Sequence, residues 1–201
     1  MAKHVDYYVS LNSPWTYLGS KRFEAMARKY NADVTIWPVD FGSVFSVSGG
    51  LPLPKRAPQR QAYRMMELKR WRDHLGVKLN LTPKHCPSNE VPAAKCVIAL
   101  REQGRMADAI NVAHAVLAAV WAEEKNSGDP ETLGGILKSC GLDADAVIRA
   151  SEAPELAGKR EAYTRHAIEQ NVFGAPSFVI DGEIFWGQDR LDFVERRLAQ
   201  G

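Results

Sequence analysis

Two apolar-rich, β-type ends enclose a long middle in which apolar positions recur every three to four residues. His4 to Val9 is rich in β-formers, and Val34-Thr35-Ile36-Trp37 alternates as a sheet strand does. Between them Ser13-Pro14 opens a helix that runs to about Tyr30, with Ser as N-cap and Pro where its missing N–H costs nothing. From Phe41 to Arg60 Gly, Ser and Pro accumulate, and the stretch reads as a long loop of the kind that carries function or moves. Six helices follow: Gln61 to Leu75, Val91 to Gln103, Met106 to Glu124, Pro130 to Ser139, Asp143 to Glu152 and Pro154 to Gln170. Gly76, Gly104, Gly128 and Gly141 stand at the breaks, where C-caps belong. Ser177-Phe178-Val179-Ile180 and Glu183-Ile184-Phe185-Trp186 flank Asp181-Gly182, a hairpin signal, and a last helix begins near Asp189.

Both β-containing ends are too small to bury a core alone, so they should share one sheet. The order βαβ, then helices, then ββα predicts an α/β chain with a thioredoxin-like fold interrupted by a large all-helical insertion. The expected division is 1–58 plus 171–201 for the thioredoxin-like part and 59–170 for the inserted helices.

Composition narrows the function classes. The 201 residues carry 26 Lys and Arg against 24 Asp and Glu, a net of +2, far from the basic excess that binds a phosphate backbone, so nucleic acid is not an expected partner. Three cysteines, Cys86, Cys96 and Cys140, form no Cys-x-x-Cys pair, which argues against a disulfide framework, a zinc ribbon or a dithiol redox site and favours a reducing cytoplasm. His85-Cys86 lacks a second ligand pair, so no metal is expected. The N-terminus has no apolar signal core, and the run Ala109 to Ala122 is broken by Asn111 and His114, so neither secretion nor a membrane span is expected. His114 reads as a satisfied, semi-buried group, and Trp71 as the inward side of a solvated face, Lys69 to Arg72.

Three short segments could carry chemistry. Ser13 at a strand end and helix start places its hydroxyl where N–H groups and the positive end of the helix dipole converge, a place that stabilises a thiolate; the bland alternative is a simple cap. Gly174-Ala175-Pro176-Ser177 puts a proline just before a strand, where a cis bond would expose the Ala175 backbone to a ligand. Gln188-Asp189 opens the last helix, where a carboxylate can be merely dipole-favoured or can meet an ammonium group.

Ser-Pro-Trp-x-Tyr-Leu-Gly at Ser13 to Gly19, Val-Phe-Gly-Ala-Pro-Ser-Phe at Val172 to Phe178 and Phe-Trp-Gly-Gln-Asp-Arg-Leu at Phe185 to Leu191 together resemble the 2-hydroxychromene-2-carboxylate isomerases. These are relatives of kappa-class glutathione transferases in the DsbA-like thioredoxin superfamily. The resemblance implies a glutathione-dependent isomerase of aromatic (naphthalene-type) catabolism, interconverting 2-hydroxychromene-2-carboxylate and trans-o-hydroxybenzylidenepyruvate, and a homodimer. Carried over residue by residue, Ser13 would meet the glutathione sulfur, Ala175 and Pro176 the cysteinyl unit, Gln188 and Asp189 the γ-glutamyl end, and Arg60 the glycine carboxylate. For a small aromatic carboxylate substrate, Trp15, Tyr17, Phe41 and Phe45 are candidate walls and Lys84, His85 and Asn89 candidate polar contacts, with core packing the competing role of each wall residue. The chain departs from the pattern at Gly50, where the kappa class has Asn, and at Asn12, where an apolar residue is usual. A kappa-type transferase and a non-catalytic peptide-binding module of the same fold remain open alternatives.

Overall fold

The computed structural model describes residues 2–200. Strand β1 (His4–Val9), helix α1 (Pro14–Lys29) and strand β2 (Asp33–Pro38) lead into α2 (Phe41–Ser48) and α3 (Pro58–Leu75). Helices α4 (Val91–Glu102), α5 (Met106–Trp121), α6 (Pro130–Ser139), α7 (Ala144–Ser151) and α8 (Lys159–Glu169) follow, and the chain closes with β3 (Ser177–Ile180), β4 (Glu183–Trp186) and α9 (Leu191–Ala199). The strands form one mixed sheet in the order β2-β1-β3-β4, with β1 parallel to β2 and the other neighbours antiparallel. The two β-containing ends thus share one sheet, as the element order predicts for a thioredoxin-like fold.

Register sets the two faces. Tyr7 lies opposite Ile36 and Phe178, so Val5, Tyr7, Val9, Ile36, Phe178 and Ile180 point to one side, where Phe23 of α1 and Leu191 and Val194 of α9 cover them. The Tyr7 and Phe178 rings stack at 5.1 Å. The same apolar cluster continues without a gap into α4, α5, α6 and α7, so the inserted helices bury themselves on the sheet's own core. On the opposite face Tyr8, Val39, Phe41, Val44, Ala167, Val172 and Val179 make a second cluster. A third, with Leu18, Leu68, Leu117 and Trp121, joins α1, α3 and α5.

The stretch expected to be a loop from Phe41 to Arg60 is largely helical. The Asp40 side chain accepts from the Gly42 N–H and the Ser43 hydroxyl, capping α2, and Gly49 ends it at φ 75°. Ser and Gly content hid a helix whose buried side is Phe41 and Val44. Leu53–Lys55 adds a 3-10 turn, and α3 starts at Pro58, three residues earlier than Gln61, because Pro suits a first helical turn. The single helix expected from Pro154 to Gln170 is split: a 3-10 turn at Pro154–Leu156 precedes α8, and Gly158 at φ 76° breaks the run. The last helix likewise opens with a separate 3-10 turn, Gln188–Arg190. Gly76, Gly104 and Gly141 have the positive φ of C-caps; Gly128 does not, and instead packs against Asn89.

Candidate functional site

The switch from β1 to α1 is made by a short turn in which the Ser13 N–H donates to the Ser10 carbonyl at 3.2 Å. Ser13 caps the helix: its extended backbone lets Oγ accept from the Thr16 N–H at 3.2 Å, with Pro14 in the first turn. The single hydroxyl hydrogen points at the Ala175 carbonyl 3.4 Å away, a long contact that is readily exchanged for a better acceptor. Ser13 therefore presents a donor, backed by a helix N-terminus with no acidic side chain in its first turn.

Facing it is the turn before β3. Ala175-Pro176 is cis, as expected of this proline in a thioredoxin-like fold. Ser177 Oγ donates to the Gly174 carbonyl at 2.7 Å, and the Gly187 N–H donates to the Pro176 carbonyl at 2.9 Å, so the turn is tied both to itself and to the end of β4. The Ala175 N–H, half-buried, has no partner among the described residues. The Trp186 indole lies on Gly174 so closely that a Cβ there would come within 2.2 Å of its Nε1.

Gln188 is 1% exposed and is placed by α1. Gly19 permits the approach, since a Cβ would lie 2.8 Å from that of Gln188. Arg22 Nη1 donates to the Gln188 amide oxygen at 2.8 Å and to its carbonyl at 3.3 Å, leaving the amide NH2 as the free end of the side chain. Asp189 is exposed and paired with Arg190 at 2.8 Å.

These pieces meet around a cavity of about 490 Å³ whose wall includes Trp15, Arg60, Ala175, Gln188 and Asp189. Ser13 is not part of this wall; its hydroxyl lies 3.4 Å from the carbonyl of Ala175, which is. The opposite wall comes from α3 and the segment before it: Arg56, Tyr63, Arg64, Glu67 and Trp71. Four guanidiniums and two carboxylates line the cavity, and both carboxylates already have partners, Glu67 in Arg70 and Asp189 in Arg190. The cavity is therefore electropositive, with indoles for apolar contact, and suits a ligand that is anionic and partly aromatic.

Other candidate residues lie elsewhere. Phe41 and Phe45 belong to the cluster on the far face of the sheet and do not line the cavity. Phe45 also occupies the space of any side chain at position 50, where a Cβ would sit 2.3 Å from its ring. Tyr17 donates to the Lys78 carbonyl at 2.8 Å and stacks on His114 at 5.8 Å, away from the wall. Lys84, His85 and Asn89 line a second, more open depression of about 360 Å³ that shares no residue with the first. Asn12 anchors the segment beside it: its amide oxygen accepts from the Ser88 N–H and hydroxyl, both at 3.1 Å, and its amide nitrogen donates to the Ser88 carbonyl at 2.9 Å. His114 is held by Ser20 at 2.6 Å, and burial, with Lys21 adding and Glu24 opposing, lowers its pKa to about 4.

Arg22, Arg56 and Arg64 enter the site without having been singled out, and Trp186 enters it from a motif in which it had no assigned role. The four-residue spacing of Arg60 and Arg64 was the signal for a basic face on one helix, whereas Arg56 lies before α3 in extended backbone. Arg22 offered none, because its role depends on a contact with a residue 166 positions away.

The DSBA-like thioredoxin domain profile matches residues 4–199. The 2-hydroxychromene-2-carboxylate isomerase of Sphingobium xenophagum is 28% identical over 98% of this chain and 99% of its own length. That of Pseudomonas putida is 26% identical over 98% of this chain and 94% of its own. A solved 2-hydroxychromene-2-carboxylate isomerase superposes with a TM-score of 0.80 at 25% identity, covering 98% of this chain and 95% of that one.

Proposed function

This chain belongs to the DSBA-like thioredoxin domain family, and from that premise we propose that it is an isomerase interconverting 2-hydroxychromene-2-carboxylate and trans-o-hydroxybenzylidenepyruvate with the help of glutathione. The observation that carries the reading is an electropositive cavity lined by Ala175, whose N–H has no partner among the described residues, and by the Gln188-Asp189 corner, with the serine-capped helix N-terminus in contact with Ala175, in a chain alike over nearly its full length to proteins of that name.

The residues present fit glutathione. An extended peptide needs a backbone donor, which Ala175 offers; a γ-glutamyl ammonium needs an acceptor, which Asp189 supplies; a terminal carboxylate needs a cation, and Arg60 has no carboxylate within salt-bridge distance among the described residues. When bound, glutathione would supply a thiolate that adds reversibly to the conjugated substrate and leaves again, so that the bond between can rotate.

The chain's own part is binding and electrostatics. Ser13 Oγ turns its hydrogen from the distant Ala175 carbonyl toward the sulfur, and the N-terminus of α1 favours the negative charge there. Gln188, locked by Arg22, fixes the peptide end, and Trp15 and Trp71 offer flat apolar walls for the ring. In this reading residues 1–58 with 171–201 hold the sulfur, and 59–170 supply Arg60, Arg64 and Trp71. The protein works in a reducing cytoplasm, in keeping with its three free cysteines, and as a homodimer that covers the exposed Val47, Leu51 and Met66.

The test is the absorbance change of 2-hydroxychromene-2-carboxylate mixed with the purified protein, with and without glutathione. Fast equilibration only with glutathione is expected. A stable glutathione adduct would make the protein a transferase, and peptide binding without any thiol dependence would make it a binding module.

A further inference from the structure

Arg64 is half-buried in the cavity wall, and among the described residues its only polar contact is the Met65 sulfur, 3.8 Å from Nη1. Its neighbours are differently placed. Arg56 Nε donates to the Leu51 carbonyl at 2.7 Å, Arg190 is paired with Asp189, and Arg60 is exposed. The one carboxylate on the same helical wall, Glu67, is bound by Arg70. Burial and the charge of Arg56 both work against a cation at Arg64, with the Cys86 thiol the opposing influence. A guanidinium kept partly out of water without an oxygen acceptor is costly, and an incoming anion removes that cost. The surroundings define the anion further. Trp15, Tyr63 and Trp71 share the wall, so a planar ring fits beside a fork that matches a carboxylate in two-point contact, while the buried Trp121 ring, 5.9 Å from the guanidinium carbon, backs the arginine from the core side.

We propose that Arg64 is the anchor for the carboxylate of a planar aromatic acid, the substrate of this site, and that it is distinct from Arg60, one helical turn away at the exposed rim. Lys84, His85 and Asn89 then have no part in holding that carboxylate, since they face the other depression. The identity of the acid rests on the isomerase reading; the existence of the subsite does not.

The experiment is isothermal titration of the full-length protein with trans-cinnamate and with its uncharged counterpart cinnamamide, for the wild type, Arg64→Gln and Arg64→Lys. The wild type is expected to bind the acid at least about tenfold more tightly than the amide, the scale of a charge-assisted hydrogen-bonded pair. Arg64→Gln should remove that preference, Arg64→Lys should keep only part of it, and the glutathione dissociation constant should be unchanged in both. A preference that survives in Arg64→Gln, or a wild type without one, overturns the inference. Should Arg64→Gln fail to fold, Arg64→Lys decides, because it keeps the charge and loses the fork: an undiminished preference there contradicts the anchor. Chromene turnover is read separately, so a protein with the Arg64-dependent preference but no turnover would lose the isomerase reading and keep the subsite.

Discussion

On the sheet side of the cavity, Ser13 is held as the cap of α1, Ala175 by a turn whose Pro176 carbonyl accepts from the Gly187 N–H, and Gln188 by the half-buried Arg22. On the helical side, Arg56, Arg60 and Arg64 project from α3 and the turn before it, with little to fix them and no carboxylate within salt-bridge distance among the described residues. The first wall is neutral, rigid and suited to placing one sulfur atom. The second is charged, adaptable and suited to holding whatever anion the reaction uses. Under the proposed function, chemistry would belong to the sheet wall and substrate choice to the helical wall, so substitutions on the two sides should fail in different ways.

The largest effect is expected at Ser13. Ser13→Ala should lower kcat/KM by about a hundredfold, as loss of a single donor to a developing anion does, while loss of the cap to Thr16 costs about 1 kcal/mol of stability. Steady-state kinetics beside urea unfolding separates the two. Gly174→Val comes next. Its Cβ meets the Trp186 indole at 2.2 Å, so about 1–3 kcal/mol of stability should be lost in a denaturant midpoint, with the Ala175 turn displaced and glutathione binding weakened. A wild-type midpoint would show that the sheet wall is less rigid than described.

His114 gives a pH signature that belongs to neither wall. Its folded pKa, about 4, lies below the ordinary value of 6.5, so the folded chain disfavours the charged ring. The stability it contributes is present above pH 6.5 and is lost as pH falls through 4. His114→Gln should flatten that part of the stability profile, measured by thermal unfolding across the range. The smallest effect is expected from Arg190→Ala, because its pair with Asp189 is solvated, with side chains 52% and 42% exposed. Thermal unfolding should change by the equivalent of less than about 1 kcal/mol.

The same contrast decides what could be read from the sequence. Features set by local backbone geometry were legible: the cap at Ser13, the proline turn at Pro176 and the hairpin at Asp181-Gly182, whose residues take φ of 51° and 80°. The motif resemblance was carried by the sheet wall for the same reason. Helix α2 was not legible, because its Ser and Gly content mimics a loop until Asp40 is seen to cap it. Arg22 and Arg64 were not legible either, since their importance lies in a partner far along the chain for one and in a missing partner for the other. Phe41 and Phe45, four residues apart on α2, share one side of that helix, which packs with Tyr8, Val39 and Val179 on the far face of the sheet.

The central claim is that Ser13 and the α1 N-terminus hold a thiolate. The direct measurement is the pH titration of thiolate ultraviolet absorbance for glutathione bound to the wild type and to Ser13→Ala. The wild type should show a midpoint at least about one unit below the roughly 8.5 of a free cysteine-type thiol, as thiols at helix N-termini do, with most of that shift gone in Ser13→Ala. A midpoint that matches free glutathione in the wild type, or one that Ser13→Ala leaves equally depressed, would contradict the account.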